Sequence, residues 1–112
     1  MDRAKRISTL LVLIASLGGP ARAADPFGEH YGRAEVEYKA GNYLQAIIEL
    51  KAAYAIKRVP TLQINIGQAY LKLGLAQDAL NHFEAYLQLV PSPPPDARAR
   101  LDRLMPQARA LL

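Results

Sequence analysis

Residues 59–91 read VPTLQINIGQAYLKLGLAQDALNHFEAYLQLVP, and this stretch decides the fold. Gly74 divides it into two parts, and Pro91 ends it. After Gly74 the apolar residues recur at intervals of three and four, which places them on one face of an amphipathic helix. The part before Gly74 fits another helix, because a glycine directly after a helical pattern commonly ends the helix. The stretch therefore predicts two helices joined by a tight turn.

The same pattern occurs 33 residues earlier in the chain. Pairing each residue with the one 33 positions later gives the identities Lys39/Lys72, Gly41/Gly74 and Ala46/Ala79. A fixed period of this length is typical of repeat proteins. Asp25 and Pro26 form a helix-start pair for the first unit. No stretch alternates with period two over the length of a strand, so we predict an all-α chain with repeats at residues 27–59 and 60–91.

The second repeat resembles a known family. It has a characteristic set of small, aromatic and breaker residues, namely Ile66, Gly67, Tyr70, Gly74, Ala79, Phe83 and Pro91. This set looks like a tetratricopeptide repeat, a helix–turn–helix of about 34 residues. The first repeat is similar in its turn and second helix. The resemblance implies a short right-handed α-solenoid of two such units over residues 24–91.

The first helix departs from the family at Arg33 and Glu37, where tetratricopeptide repeats keep apolar residues. Two explanations stay open. A first helix has no preceding repeat to pack against, so its outer positions can face water. Alternatively, a slip of one residue puts Tyr31, Ala34 and Tyr38 in the buried positions.

Residues 92–112 are expected to form a proline-rich spacer and a capping helix. The run Pro91–Pro95 is stiff and polyproline-like, and we interpret it as a spacer rather than as a ligand for a partner's aromatic groove. Leu101 and Leu104 share one face of the following helix. Pro106 lies inside this helix and is expected to bend or split it. Solenoids need such caps, because their last repeat otherwise exposes an apolar face.

Residues 1–23 have the pattern of a secretory signal peptide: a basic start, a largely apolar run at residues 7–17 and the cleavage-site tripeptide Ala21-Arg22-Ala23. The apolar run is shorter than the roughly 20 residues that span a bilayer. We therefore expect export to the periplasm or cell envelope of a bacterium and cleavage near Ala23, with an uncleaved membrane-associated helix as the alternative. Cleavage lowers the formal net charge from +4 to +1, so net basicity gives no support for nucleic-acid binding.

The chain offers little for catalysis. It has no cysteine, Ser92 is the only serine after residue 23, and the two histidines, His30 and His82, are 52 residues apart. A nucleophilic serine needs a base held against it, and two separated histidines make a poor metal site. No glycine-rich phosphate-binding loop occurs. We predict that the protein is not an enzyme and has no cofactor, metal site or small-molecule substrate.

The resemblance implies a partner-binding surface, because the first helix of each tetratricopeptide unit lines a concave groove. In the register without a slip, the implied groove residues are Tyr31, Glu35, Tyr38 and Lys39 of the first unit and Ile64, Asn65, Gln68, Leu71 and Lys72 of the second. An apolar or aromatic floor with charged edges suits a peptide with one or two hydrophobic anchors. In the slipped register, the two tyrosines are simply core residues.

The sequence therefore predicts a non-catalytic interaction module that binds a protein or peptide partner. The alternative is a homo-oligomeric structural element without a peptide ligand, because about three repeats are usually needed for a stable solenoid.

One binding mode of the family holds a partner's C-terminal carboxylate with lysine, asparagine and arginine side chains. Asn65 matches the asparagine position, and Arg98 fits one basic position. Tyr31, Glu35 and Asp102 stand where the remaining side chains are needed. Two acidic residues there repel a carboxylate, so we predict that this mode is not used.

Overall fold

The computed structural model describes residues 25–112, and the predicted signal peptide at residues 1–23 lies outside them. The described residues form five α-helices: α1 Pro26–Lys39, α2 Tyr43–Ile56, α3 Thr61–Lys72, α4 Ala76–Leu89 and α5 Pro95–Ala110. This part of the chain contains no strand, which confirms the all-α prediction. None of its helices is long and apolar enough to cross a membrane.

Two turns of the same geometry join α1 to α2 and α3 to α4. Gly41 and Gly74 have φ angles of +82° and +77°, in the left-handed region that only glycine adopts readily. The backbone hydrogen bonds of the turns also recur 33 residues apart: the N–H groups of Gly41 and Asn42 donate to the carbonyls of Tyr38 and Glu37, and those of Gly74 and Leu75 donate to Leu71 and Tyr70.

Each helix packs mainly on its neighbours along the chain, and α5 also reaches α3. Two apolar clusters result. The first lies between α1, α2 and α3 and contains Ala34, Ile47, Leu50, Ala53, Leu62, Ile66 and Ala69. The second lies between α3, α4 and α5 and contains Ile64, Ala79, Leu80, Phe83, Tyr86, Ala97, Leu101, Leu104 and Ala108.

The outer face of α1 is open, which accounts for the polar departures in the first repeat. The Arg33 side chain is 54% exposed, although Ile66, the residue 33 positions later, is buried. Val36 is 65% exposed, although its counterpart Ala69 is fully buried. Ile66 and Ala69 pack into the first cluster, whereas no helix precedes α1 in residues 25–112. These contacts fit the register without a slip.

α5 covers the free side of the pair α3–α4 with the apolar face that carries Leu101 and Leu104. The helix runs unbroken through Pro106, so the expected split does not occur. Pro106 removes the hydrogen bond that would reach the carbonyl of Asp102. Both residues are exposed, so water can bond that carbonyl and the helix continues.

Candidate partner-binding groove

Two adjoining cavities run across α1, α3 and α5. The first has a volume of about 180 Å³ and is lined by Tyr31, Ala34, Glu35, Tyr38, Lys39, Leu50, Asn65 and Gln68. The second has a volume of about 580 Å³ and is lined by Gln68, Leu71, Lys72, Arg103, Leu104, Gln107, Ala110 and Leu111. Because Gln68 lines both cavities, they form one continuous depression, which we call the groove.

Eight of the nine residues that the resemblance implied line this groove. The first cavity brings together Tyr31, Glu35, Tyr38, Lys39, Asn65 and Gln68, and the second adds Leu71 and Lys72. They come together because α1 and α3 end at equivalent residues and are followed by the same turn. The 33-residue spacing therefore carries over directly into the geometry of the groove.

Ile64 is the exception. It is fully buried in the second cluster, beneath α5 and against the aromatic side chains of α4, so it has no surface to offer a partner. Sequence reasoning placed it beside Leu71 because the two are seven residues apart on one helix. The face of α3 that carries Ile64 is covered by Ala97 and Leu101 of the capping helix, which the periodicity of α3 does not reveal.

Tyr31 and Tyr38 combine the two roles between which the sequence left a choice. Both are half-buried against the first cluster, and both line the first cavity. Tyr31 is stacked on Phe27 with ring centroids 6.1 Å apart, and Tyr38 meets Tyr43 edge to face at 5.1 Å. Rings held on one side by other rings give the cavity a firm aromatic wall.

The hydroxyl of Tyr38 is buried and has no hydrogen-bond partner in residues 25–112. Burial raises the pKa of the Tyr38 phenol above its ordinary value, and Tyr43 adds to this effect, whereas Gln68 and Arg100 oppose it. The Gln68 side chain is thus near the hydroxyl without meeting the geometry of a hydrogen bond. The phenol stays neutral, and the wall of the first cavity is uncharged at this point.

Arg100 of α5 is the principal polar group that sequence reasoning missed. Its Nη2 donates to Asn65 Oδ1 at 2.9 Å and to Gln68 Oε1 at 3.0 Å, at the junction of the two cavities. Burial lowers the pKa of the Arg100 guanidinium from its ordinary value, and Arg103 lowers it further. An arginine nevertheless remains protonated in a protein. Arg100 is therefore a half-buried cation held by two neutral amide oxygens.

The periodicity could not have identified this residue. Continuing the 33-residue spacing from Asn65 leads to Arg98, which is exposed and does not line either cavity. The proline run between α4 and α5 interrupts the spacing and sets the rotation of α5 independently. The only available signal was the presence of several arginines on α5, which does not say which one faces α3.

The two histidines have structural partners outside the groove. His30 Nδ1 lies 2.9 Å from Glu49 Oε1 in the first helix pair, and His82 Nδ1 lies 2.7 Å from Gln63 Oε1 in the second. The positions correspond, since His30 and Gln63, like Glu49 and His82, are 33 residues apart. Burial lowers the pKa of His82. In residues 25–112 no group of three or more His, Asp or Glu side chains is arranged to hold a metal ion.

Comparison of the chain with models of known protein families finds no match, and no curated protein sequence matches it. What the chain does is therefore argued from the groove.

Proposed function

We propose that this chain is a non-catalytic adaptor or scaffold that binds a segment of a partner protein along the groove. The pairs α1–α2 and α3–α4 are its two tetratricopeptide-like repeats, arranged as a short right-handed α-solenoid, and α5 is its cap. One observation carries the proposal: a continuous groove crosses α1, α3 and α5, with a firm aromatic wall and polar side chains along it. Such a groove suits a peptide with apolar anchors.

We further propose that the module works in the cell envelope of a bacterium, in its periplasm, after residues 1–23 are removed. The support is the basic start, short apolar run and Ala21-Arg22-Ala23 site of the sequence. The chain would then meet a membrane only during export. N-terminal sequencing of the mature protein from a periplasmic fraction tests this proposal, and the expected first residue is Ala24.

A homo-oligomeric element is the second candidate, because apolar side chains remain exposed on the helices behind the groove. Ile48 and Ile56 of α2 are 52% and 51% exposed, and Leu89 of α4, the counterpart of Ile56, is 52% exposed. In this candidate a second copy covers these side chains, and no peptide ligand exists. Single exposed apolar residues are common on monomers, so we rank this function second.

Site-specific photocrosslinking in intact cells tests the adaptor function. A photoreactive amino acid replaces Lys72, an exposed residue that lines the groove, and in a matched variant it replaces Gln88, an exposed residue that does not. We expect an adduct with another protein from position 72 that is absent from position 88. Leu71→Glu, which puts a charge on the groove floor, should remove this adduct while leaving the thermal unfolding of the protein cooperative.

Light scattering over a concentration series separates the two candidates. A monomer at tens of micromolar, together with a groove-specific adduct, supports the adaptor. A dimer that is lost in Ile48→Asp plus Ile56→Asp, with adducts only between copies of this chain, supports the homo-oligomer and contradicts the adaptor.

A further inference from the structure

Arg100 lacks an anionic partner although it lies half-buried in the floor of the groove. Both ion pairs within residues 25–112 involve Glu49, and no carboxylate of this part of the chain lies within 4.0 Å of Arg100. Its two hydrogen bonds come from Nη2 alone. The guanidinium carries five N–H donors, and those on Nε and Nη1 are not used by the described residues. Arg100 therefore has both charge and hydrogen-bonding capacity to offer a ligand.

The side chains around Arg100 make the groove electrically positive. Lys39 lines the first cavity, and Lys72 and Arg103 line the second. Glu35 is the one acidic residue among the groove-lining side chains. A depression with four cations and one carboxylate attracts an acidic segment and repels a basic one.

The position of Arg100 along the groove indicates which part of a ligand it meets. Its guanidinium is bonded to Gln68, the residue that both cavities share. A peptide lying in both cavities passes this point with its middle and not with its end. The anion that reaches Arg100 is then a side chain within the segment rather than a terminal carboxylate.

We propose that the groove selects an extended acidic segment of its partner, in which an internal Asp or Glu side chain pairs with Arg100 while a neighbouring apolar residue packs on Tyr31 and Tyr38. This inference rests on the proposed adaptor function and adds the chemistry of the partner. A planar guanidinium can bind both oxygens of a carboxylate, which favours a carboxylate over a single neutral acceptor. The two amide oxygens already hold the guanidinium in place, so little side-chain freedom is lost on binding.

Selection from a random display library tests the proposal. Twelve-residue segments, each fused at its C-terminal end to the display protein and hence without a free terminal carboxylate, are selected on the full chain. We expect enrichment of segments that contain Asp or Glu beside an apolar residue. The best segment is synthesised with both ends blocked, and its affinity is measured for the unchanged protein, for Arg100→Gln and for Arg98→Gln, a matched variant at an exposed arginine outside the groove.

Arg100→Gln should weaken binding at least about tenfold, whereas Arg98→Gln should change it less than about twofold. Changing the central Glu of the peptide to Gln should cause a loss similar to that of Arg100→Gln, and this arm leaves the protein unaltered should that variant unfold. Equal effects of the two arginine variants, selection of neutral or basic segments, or a gain only when the peptide has a free C-terminal carboxylate overturns the acidic-segment inference. If the selected peptides bind equally well to Leu71→Glu, the adaptor function at the groove falls with it.

Discussion

Gly67 and Ala34 show how a single methyl group decides the fit between paired helices. A Cβ atom at Gly67 would lie 2.5 Å from Phe83 Cε1, closer than real side chains approach. The corresponding residue in the first pair is Ala34, which is 2% exposed, and the residue corresponding to Phe83 is Leu50. A leucine there leaves room for the methyl group that a phenylalanine excludes. The small residue on one helix and the larger residue on the next are therefore matched as a pair.

Gly67→Ala should destabilise the protein by about 1–2 kcal/mol. Overpacking a core commonly costs about 1–3 kcal/mol, and the better helix propensity of alanine offsets up to about 1 kcal/mol of this. Phe83 is fully buried, so its ring cannot move out of the way. Urea unfolding of the variant measures the change in the free energy of unfolding.

Gly32→Ala is the matched control for this substitution. Gly32 also lies within a helix, but its Cβ would meet nothing within 4 Å, so alanine should stabilise the protein by about 0.5–1 kcal/mol. In a Phe83→Leu background, which copies the first pair, Gly67→Ala should no longer destabilise. A loss of stability that persists in this background would contradict the steric explanation.

The helix pairs themselves are joined by a polar contact that follows the repeat. Glu49 of α2 accepts hydrogen bonds from α1, with His30 Nδ1 at 2.9 Å and Arg33 Nε at 2.7 Å. These two contacts, with that of His30 the larger influence, lower the pKa of the Glu49 carboxyl. A carboxyl whose pKa is lower in the folded state stabilises the fold only while it is ionised.

We therefore expect the stabilisation from Glu49 to be complete above about pH 4.5, the ordinary pKa of a glutamate. It should be lost as the pH falls through the lower pKa of the folded state. Comparison of the free energy of unfolding of the wild type and Glu49→Gln between pH 7 and pH 3 measures this. The wild type should be more stable at pH 7, and the difference should shrink in acid.

Glu84→Gln provides the control, because Glu84 is exposed and makes no ion pair within residues 25–112. Its effect on stability should vary less with pH than that of Glu49→Gln. A Glu49 effect that is constant from pH 7 to pH 3 would show that the carboxylate charge does not stabilise the helix pair.

The sequence predicts elements well where the chain repeats itself and poorly where it does not. Gly41 and Gly74 mark both turns correctly, because a left-handed turn residue is almost obligatorily glycine. The groove residues of α1 and α3 followed from the same period. Ile64 and Arg100 did not, since both depend on how α5 lies against α3. That packing is long-range, and local periodicity does not contain it.

The whole molecule has two unlike ends. At the C-terminal end, α5 covers Phe83 and Tyr86 and completes the second cluster. At the N-terminal end, the outer face of α1 is open in residues 25–112, and Val36 lies there 65% exposed. Ala69, at the corresponding place on α3, is fully buried against the first pair. Position within the array, rather than residue type, decides which of these sites contributes to the core.

A charge introduced at the two corresponding sites should therefore have opposite consequences. Ala69→Glu should cost about 3 kcal/mol or more, because it buries an unpaired charge in the first cluster. Val36→Glu should change stability by no more than about 0.5 kcal/mol, as most surface substitutions do. Urea unfolding of both variants at pH 7 makes the comparison. A large loss for Val36→Glu would mean that another chain or a further segment covers α1 in solution.

The connection between α4 and α5 has a consequence for the attachment of the cap. Four of the five residues from Pro91 to Pro95 have no backbone N–H, so ring stiffness rather than hydrogen bonding limits their conformations. A stiff connection samples few arrangements even when α5 is detached, and the helix therefore loses little conformational entropy when it docks. The residence of α5 on the second pair is thus favoured by a segment that acts chiefly on the unfolded chain.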